Sequence, residues 1–322
     1  MSLAFMQEES AFVADRVFQD IPVQKQADAY FTYDRGEWNR DEMKERAPAT
    51  ESAGSTYTVG NTTYFARVRA LHRDVPDQIR DNADSPIDLD AEAMRYVTGK
   101  ALINREVNFV NGFLLTNNPG VVWTNVGDGN AARSAALDFT DNANNNLVFW
   151  NLAASTPIED IRLAKRTVQE ATGFRPNVLT LQRTVFDALV DHGDIVGRMD
   201  RGQTTGTAMV NKESLAALLE LDEVLVMDSI QNTALQGATA VHSFIAGNQA
   251  LLTYRPPAPG ILTPAAGYTF SWSGYLGATN MGTRISTIPM DHLKAMRVEI
   301  ESAYDQHLVA ADLGFMFDGI VE

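Results

Sequence analysis

Between Asp88 and Leu115 the apolar positions Met94, Val97, Ala101, Phe109 and Phe113 recur with helical spacing. They predict one long helix of about 40 Å at 1.5 Å per residue. Ser85-Pro86 breaks the chain before it, and Asp88, Asp90 and Glu92 suit its positive end. A second stripe, Ile161, Ala164, Val168 and Ala171, follows Thr156-Pro157-Ile158-Glu159, which has the form of a capping box with proline at the first helical position. Gly173 offers a left-handed stop, and Pro176 leads into the short apolar run Val178 to Leu181. The next stripe, Val185, Phe186, Leu189 and Val190, is expected to end at Gly193, just after His192. A helix near Ser214 to Leu221 and strands at Val224 to Met227, Ala250 to Tyr254 and Tyr268 to Trp272 complete a mixed α/β region. From Thr283 the chain reads as strands, closing on Gly314-Phe315-Met316-Phe317.

The N-terminal part has a different pattern. Gln24 to Thr50 is polar and broken by Gly36 and Pro48, with scattered aromatics at Tyr30, Phe31, Tyr33 and Trp38. It cannot bury a core of its own, so it is either a disordered tail or an arm lying on a partner, and the aromatics favour the arm. Ser55 to Leu71 reads as a hairpin, with strand formers from Thr56, a turn signal at Gly60-Asn61, and alternation from Thr62 onward. Tyr64, Ala66, Val68 and Ala70 share one face; Phe65, Arg67, Arg69 and Leu71 share the other. Such a ribbon projects a cationic pair and needs something to lie against; the alternative is an ordinary sheet edge with solvated arginines. Asn117 to Asn146 is a loop region rich in Gly, Asn and Asp, with a possible strand at Val121 to Trp123.

Composition narrows the chemistry. Hydrophobic residues make up 45% of the chain, enough for a packed core, while a net charge of −15 argues against a protein that grips nucleic acid. A wall that surrounds DNA without sticking to it gains from the same acidity. With no cysteine, disulfides, thiolate metal sites and cysteine nucleophiles are excluded. No signal peptide or membrane-length apolar run is evident, and the sequon at Asn61-Thr62-Thr63 is taken as chance.

Candidate reactive groups fail individually. Gly99-Lys100 lacks the glycine, strand and hydroxyl of a phosphate loop. Gly127 to Asn130 and Asp138 to Asn146 are oxygen-rich without calcium-loop spacing. His72, His192, His242, His292 and His307 are scattered, and His192 beside Asp194 reads better as a helix-end cap than as an acid or base. Asp81, Asp84, Asp88 and Asp90 are explained by helix-end electrostatics. No catalytic, cofactor-binding or metal residue is expected.

The chain resembles the major capsid proteins of tailed double-stranded DNA bacteriophages, of the Hong Kong 97 fold. The residues carrying the resemblance are Arg175-Pro176-Asn177-Val178-Leu179 with Val185 to Met199, Leu219 to Asp228, Ala250 to Pro257 leading to Thr263 to Tyr268, and Leu308 to Gly314. It implies an α+β fold with an N-terminal arm over 1–50, an extended β-hairpin loop over 51–87 and a peripheral domain with a spine helix over 88–154. An axial domain over 155–282 and C-terminal strands over 283–322 returning to the peripheral domain would follow. It also implies hexamers and pentamers of one chain in a virion shell built in the host cytoplasm, near packaged DNA. A separate scaffold, a portal and decoration proteins are implied partners, while cofactors and membranes are not. Phe65, Arg67, Arg69, Tyr30, Phe31 and Trp38 are the expected subunit contacts. No lysine and asparagine pair is singled out for covalent crosslinking. The competing readings are an encapsulin-like cargo shell and an acidic α/β enzyme built around His192.

Overall fold

The computed structural model describes residues 6–83, 88–115, 123–128, 148–200, 210–260, 262–277 and 282–321. In chain order, α1 (Ala14–Val17) leads into β1 (Gln19–Val23), β2 (Ala27–Tyr33), α2 (Arg35–Trp38), β3 (Val59–Phe65), β4 (Arg67–Pro76), α3 (Asp77–Asp81) and the long helix α4 (Leu89–Phe113). Next come β5 (Asn125–Asp128), α5 (Pro157–Thr172), β6 (Val178–Gln182), α6 (Arg183–Val190), α7 (Gly193–Asp200), α8 (Lys212–Leu219), β7 (Glu223–Met227), β8 (Ile230–Asn232) and β9 (His242–Phe244). The chain closes through β10 (Ala250–Thr253), β11 (Gly267–Trp272), α9 (Ser273–Leu276), β12 (Thr283–Met290), β13 (Ala295–Leu308) and β14 (Gly314–Asp318).

Two five-stranded sheets organise these elements. In the first, β13 pairs with β12 and β4 along its N-terminal part and with β11 along its C-terminal part, while β1 runs parallel to β11. The second has the order β5-β14-β10-β6-β7. Its inner strands are buried on both faces, which is why they read as short continuous apolar runs. One face, with Leu179, Leu181, Val224, Leu252 and Phe315, meets α5, α6 and α8. The opposite face, with Val178, Leu225, Leu251 and Met316, meets Phe109, Val110 and Phe113 of α4 together with Val13, Val17 and Phe18. The other end of α4 packs Ala93 and Val97 on Val75, Val298 and Ile300 of the first sheet. One helix therefore serves both cores.

Local signals explain much of this. The Asp88 carboxylate accepts from the N–H groups of Asp90 and Ala91 (both 3.1 Å) and starts α4 where the breaker ends. Gly173, at φ +80°, stops α5 in the left-handed conformation that a side chain would strain. At the far end of α4, the Trp123 indole N–H donates to Phe113 O (2.8 Å). Buried Lys165 donates to the carbonyls of Leu219 (2.6 Å) and Glu220 (2.7 Å), satisfying the C-terminus of α8; burial lowers its ammonium to about 8.

Several expectations need correction. Gly60-Asn61 is not a turn: it lies inside β3, whose partner is β2, so the ribbon joins 27–33 to 59–65 and not 56–59 to 62–71. The Thr156 side chain makes no capping bond, and α5 begins on backbone bonds to Thr156 O. Gly193 opens α7 instead of closing α6, which ends at Val190. Met94 is exposed, on the solvent flank of α4. The closing strand β14 pairs with β10 and β5, not with the strands of 283–308. Within the expected arm, residues 9–23 lie on the subunit's own core: Val13, Ala14, Val17 and Phe18 are buried and β1 joins the first sheet. Val121 and Val122, most of the loop 117–146, and Asp84 to Ile87 lie outside the described residues.

Candidate subunit interface

The β2–β3 ribbon pairs in register from Ala27 opposite Phe65 to Tyr33 opposite Val59. Opposed residues share a face, so Tyr30 and Tyr64 belong to one side and Phe31, Tyr33, Val59 and Phe65 to the other. The first side is held by the subunit itself. Tyr64 stacks on Phe270 at 4.6 Å between ring centroids, and Tyr30 lies 5.7 Å from the same ring and 5.8 Å from His307. Asp305 accepts the Phe65 N–H at 3.1 Å, and Gln26 donates to Ala66 O at 3.2 Å. The root of the ribbon is thereby fixed to the first sheet.

The other side is open. Phe31 is 70% exposed, Phe65 52% and Val59 49%. Beyond Tyr33, α2 is capped by the Asp34 carboxylate on Gly36 N–H (2.9 Å), and Glu37 accepts from Thr58 N–H (2.6 Å). These bonds bring Trp38 to 6.1 Å from Tyr33 and 5.7 Å from Tyr57, with Trp38 itself 63% exposed. The result is a cluster of Tyr33, Trp38 and Tyr57 at and beyond the tip of a ribbon whose same face exposes Phe31 and, nearer the root, Phe65. Exposed apolar surface of this kind marks an interaction site more often than a solvated one.

Of the residues singled out by sequence, Phe31, Trp38 and Phe65 are all exposed, Phe31 and Phe65 on one face of the ribbon and Trp38 beyond its tip. Tyr30 does not; it is half-buried inside the subunit. Arg67 and Arg69 do not project from the ribbon either, since they stand on β4, opposite Tyr304 and Ser302 of β13. Arg69 lies over the Tyr304 ring at 4.7 Å. Sequence reasoning missed Val59 and Tyr57, because the register that exposes them depends on a partner strand thirty residues away.

His192 is structural. Its Nδ1 accepts the Asp194 N–H (3.2 Å), which leaves Nε2 to donate to Ser155 Oγ (2.9 Å), so the ring ties α7 to the turn before α5. Among the described residues no group of three or more His, Asp or Glu could hold a metal ion, and no helix is long and apolar enough to cross a membrane.

No family model matches the chain. The major capsid protein of Pseudomonas phage JBD67 is 25% identical over 320 residues, covering 99% of this chain and 95% of that protein. The chain is a homologue of a phage major capsid protein. Solved structures share its fold at lower identity. A phage-related protein from Bordetella bronchiseptica RB50 superposes with a TM-score of 0.70 at 18% identity, covering 98% of the capsid homologue and 93% of that chain. The capsid structure of cyanophage P-SCSP1u gives 0.60 at 9%, covering 99% and 90%. The SrpI encapsulin of Synechococcus elongatus PCC 7942 gives 0.57 at 12%, covering 100% and 92%. The capsid homologue thus has a mixed α/β fold that it shares with phage capsid and encapsulin structures.

Proposed function

We propose that many copies of this chain form the closed shell of a phage head around double-stranded DNA, with the β2–β3 ribbon as a principal contact between subunits. The end-to-end relationship to a phage major capsid protein carries the reading. In Hong Kong 97 terms, β2 to β3 with the segment between them is the extended loop, so that loop starts near 27 and the free arm shrinks. The first sheet with α4 is the peripheral domain and the second sheet with α5 to α8 the axial domain. On this division β11 goes to the peripheral side and β14 to the axial side, against the boundary expected at 283, and β5 goes to the axial side, against the one expected at 155. Hexamers and pentamers, assembly in the host cytoplasm, a separate scaffold, a portal and decoration proteins belong to the same proposal.

Negative-stain microscopy of the expressed full chain tests it. Closed shells or ring-shaped capsomers are expected, and a persistent monomer at high concentration would overturn it. An encapsulin-like cargo shell is the second reading, favoured by the full-length superposition on SrpI encapsulin. Particles purified from a phage-infected host should contain nuclease-protected DNA; a protein cargo in place of DNA would select the encapsulin reading.

A further inference from the structure

The two faces of β4 carry opposite charge balance. On one face His72 and Asp74 stand opposite Glu299 and Arg297, with Asp74 gripping Arg297 through two bonds of 2.7 and 2.9 Å. On the same face Glu301 holds Arg284. Cations and carboxylates there cancel. The other face, along the flank of α4, presents Arg67, Arg69 and Arg73 at every second position except Leu71. Arg69 lies over Tyr304 at 4.7 Å, Arg73 over Tyr96 at 5.3 Å, and Lys100 over the same Tyr96 at 5.6 Å. Among the described residues none of these four cations is ion-paired; Arg95, Arg162, Arg166 and Lys294 are unpaired too, and what sets the four apart is that they fall in one row along β4 and α4.

A chain of net charge −15 that leaves four neighbouring cations without carboxylates has kept them for an outside anion. Tyrosine faces hold Arg73 and Lys100 by cation–π attraction without neutralising them, and both are exposed, as is Arg67; Arg69 is partly covered, one of its guanidinium nitrogens being buried, so it lends charge more than contact. At about 3.4 Å per residue the row from Arg67 to Arg73 extends about 20 Å, the length of roughly six base pairs of duplex. Three arginines and a lysine in one row with no carboxylate paired to them give the strong positive charge that duplex contacts carry. We propose that Arg67, Arg69, Arg73 and Lys100 form a stripe that binds the phosphate backbone of duplex DNA, without sequence preference. The proposal rests on the capsid reading for its biological partner. It replaces the expected contact of Arg67 and Arg69 with a neighbouring subunit.

Fluorescence anisotropy of a labelled 20-base-pair duplex, titrated with full-length subunit kept below its assembly concentration, tests the stripe. Binding is expected at low salt, weakening with a log–log slope of about −3 as salt rises. The triple variant Arg67→Gln, Arg73→Gln, Lys100→Gln should lose at least tenfold in affinity, and the milder double variant Arg73→Gln, Lys100→Gln a smaller part of it. A control, Arg162→Gln with Arg166→Gln on α5, should bind like the wild type. Undetectable binding by wild type, or an equal loss in the control, overturns the stripe. So does a triple variant that binds duplex normally but fails to form shells, which would assign these cations to carboxylates of a second copy. Wild-type chain that forms shells but ignores duplex defeats only the stripe, while absence of shells in micrographs defeats the capsid reading by itself.

Discussion

Glu106 is a carboxylate buried in the middle of α4, and it accepts from the N–H of Ala14 (3.0 Å) and of Val13 (3.2 Å), the otherwise unsatisfied donors at the start of α1. Burial pushes it up from 4.5 to about 7, against the lowering effect of those two N–H groups; Asp15 adds to the rise and Arg105 opposes it. The folded protein thus keeps a proton that the unfolded chain releases above 4.5. Stability from this group is full below that value and is lost as pH rises through 7, by about 3 kcal/mol at most. Glu106→Gln, which retains an acceptor but does not titrate, should flatten the fall in thermal midpoint between pH 5 and 8. Asp160, raised to about 6 by burial beside Trp150, leaves a smaller slope of the same sign. A midpoint in the variant as pH-sensitive as in wild type would contradict this account. Gly267 is decided by space: a Cβ there would lie 2.4 Å from the Phe18 ring, which packs edge-on against Phe109 and Phe113. Gly267→Ala should cost about 1–3 kcal/mol in urea unfolding. Glu106 could not be recognised from sequence, because a glutamate at a helical position reads as solvated until the opposite segment is known.

At the scale of elements, legibility followed the range of the interaction. Helix α4 was readable to within a residue or two because its breaker, cap and stripe are all local. The strand–helix unit from Val178 to Val190 was readable for the same reason. The ribbon was not: β3 pairs with a strand that precedes it by some thirty residues, and the Gly-Asn pair that signals a turn in isolation is straightened by that partner. The candidate site was therefore half legible. Phe31, Trp38 and Phe65 stood out as aromatics in a polar context, while the assignment of Tyr30 to the inside and of Arg67 and Arg69 to another sheet needed the register. Phe31→Ser with Trp38→Ser should leave the circular dichroism and thermal midpoint of the subunit nearly unchanged, since both side chains are exposed. The concentration needed for shell formation, read by light scattering, should rise at least tenfold. Normal assembly of that variant would remove the ribbon from the interface.

For the whole molecule, the decisive fact is how far apart in sequence the paired strands are. β4 waits for β13, some 220 residues later; β1 waits for β11; and β5 is joined to the second sheet only through β14 at the end of the chain. At 5–20 residues per second, the ribosome takes roughly 10–45 s to deliver the partner of β4 after β4 itself has emerged. During that interval neither sheet can be completed, and the β2–β3 ribbon lacks the Phe270, Asp305 and His307 side chains that fix its root. A chain stopped at residue 290, co-expressed with the full-length chain, should be missing from purified particles when their protein is examined by mass spectrometry. In the proposed shell, a chain that stops before β13 and β14 is expected to be left out because neither of its sheets can close, with no separate factor needed to inspect it.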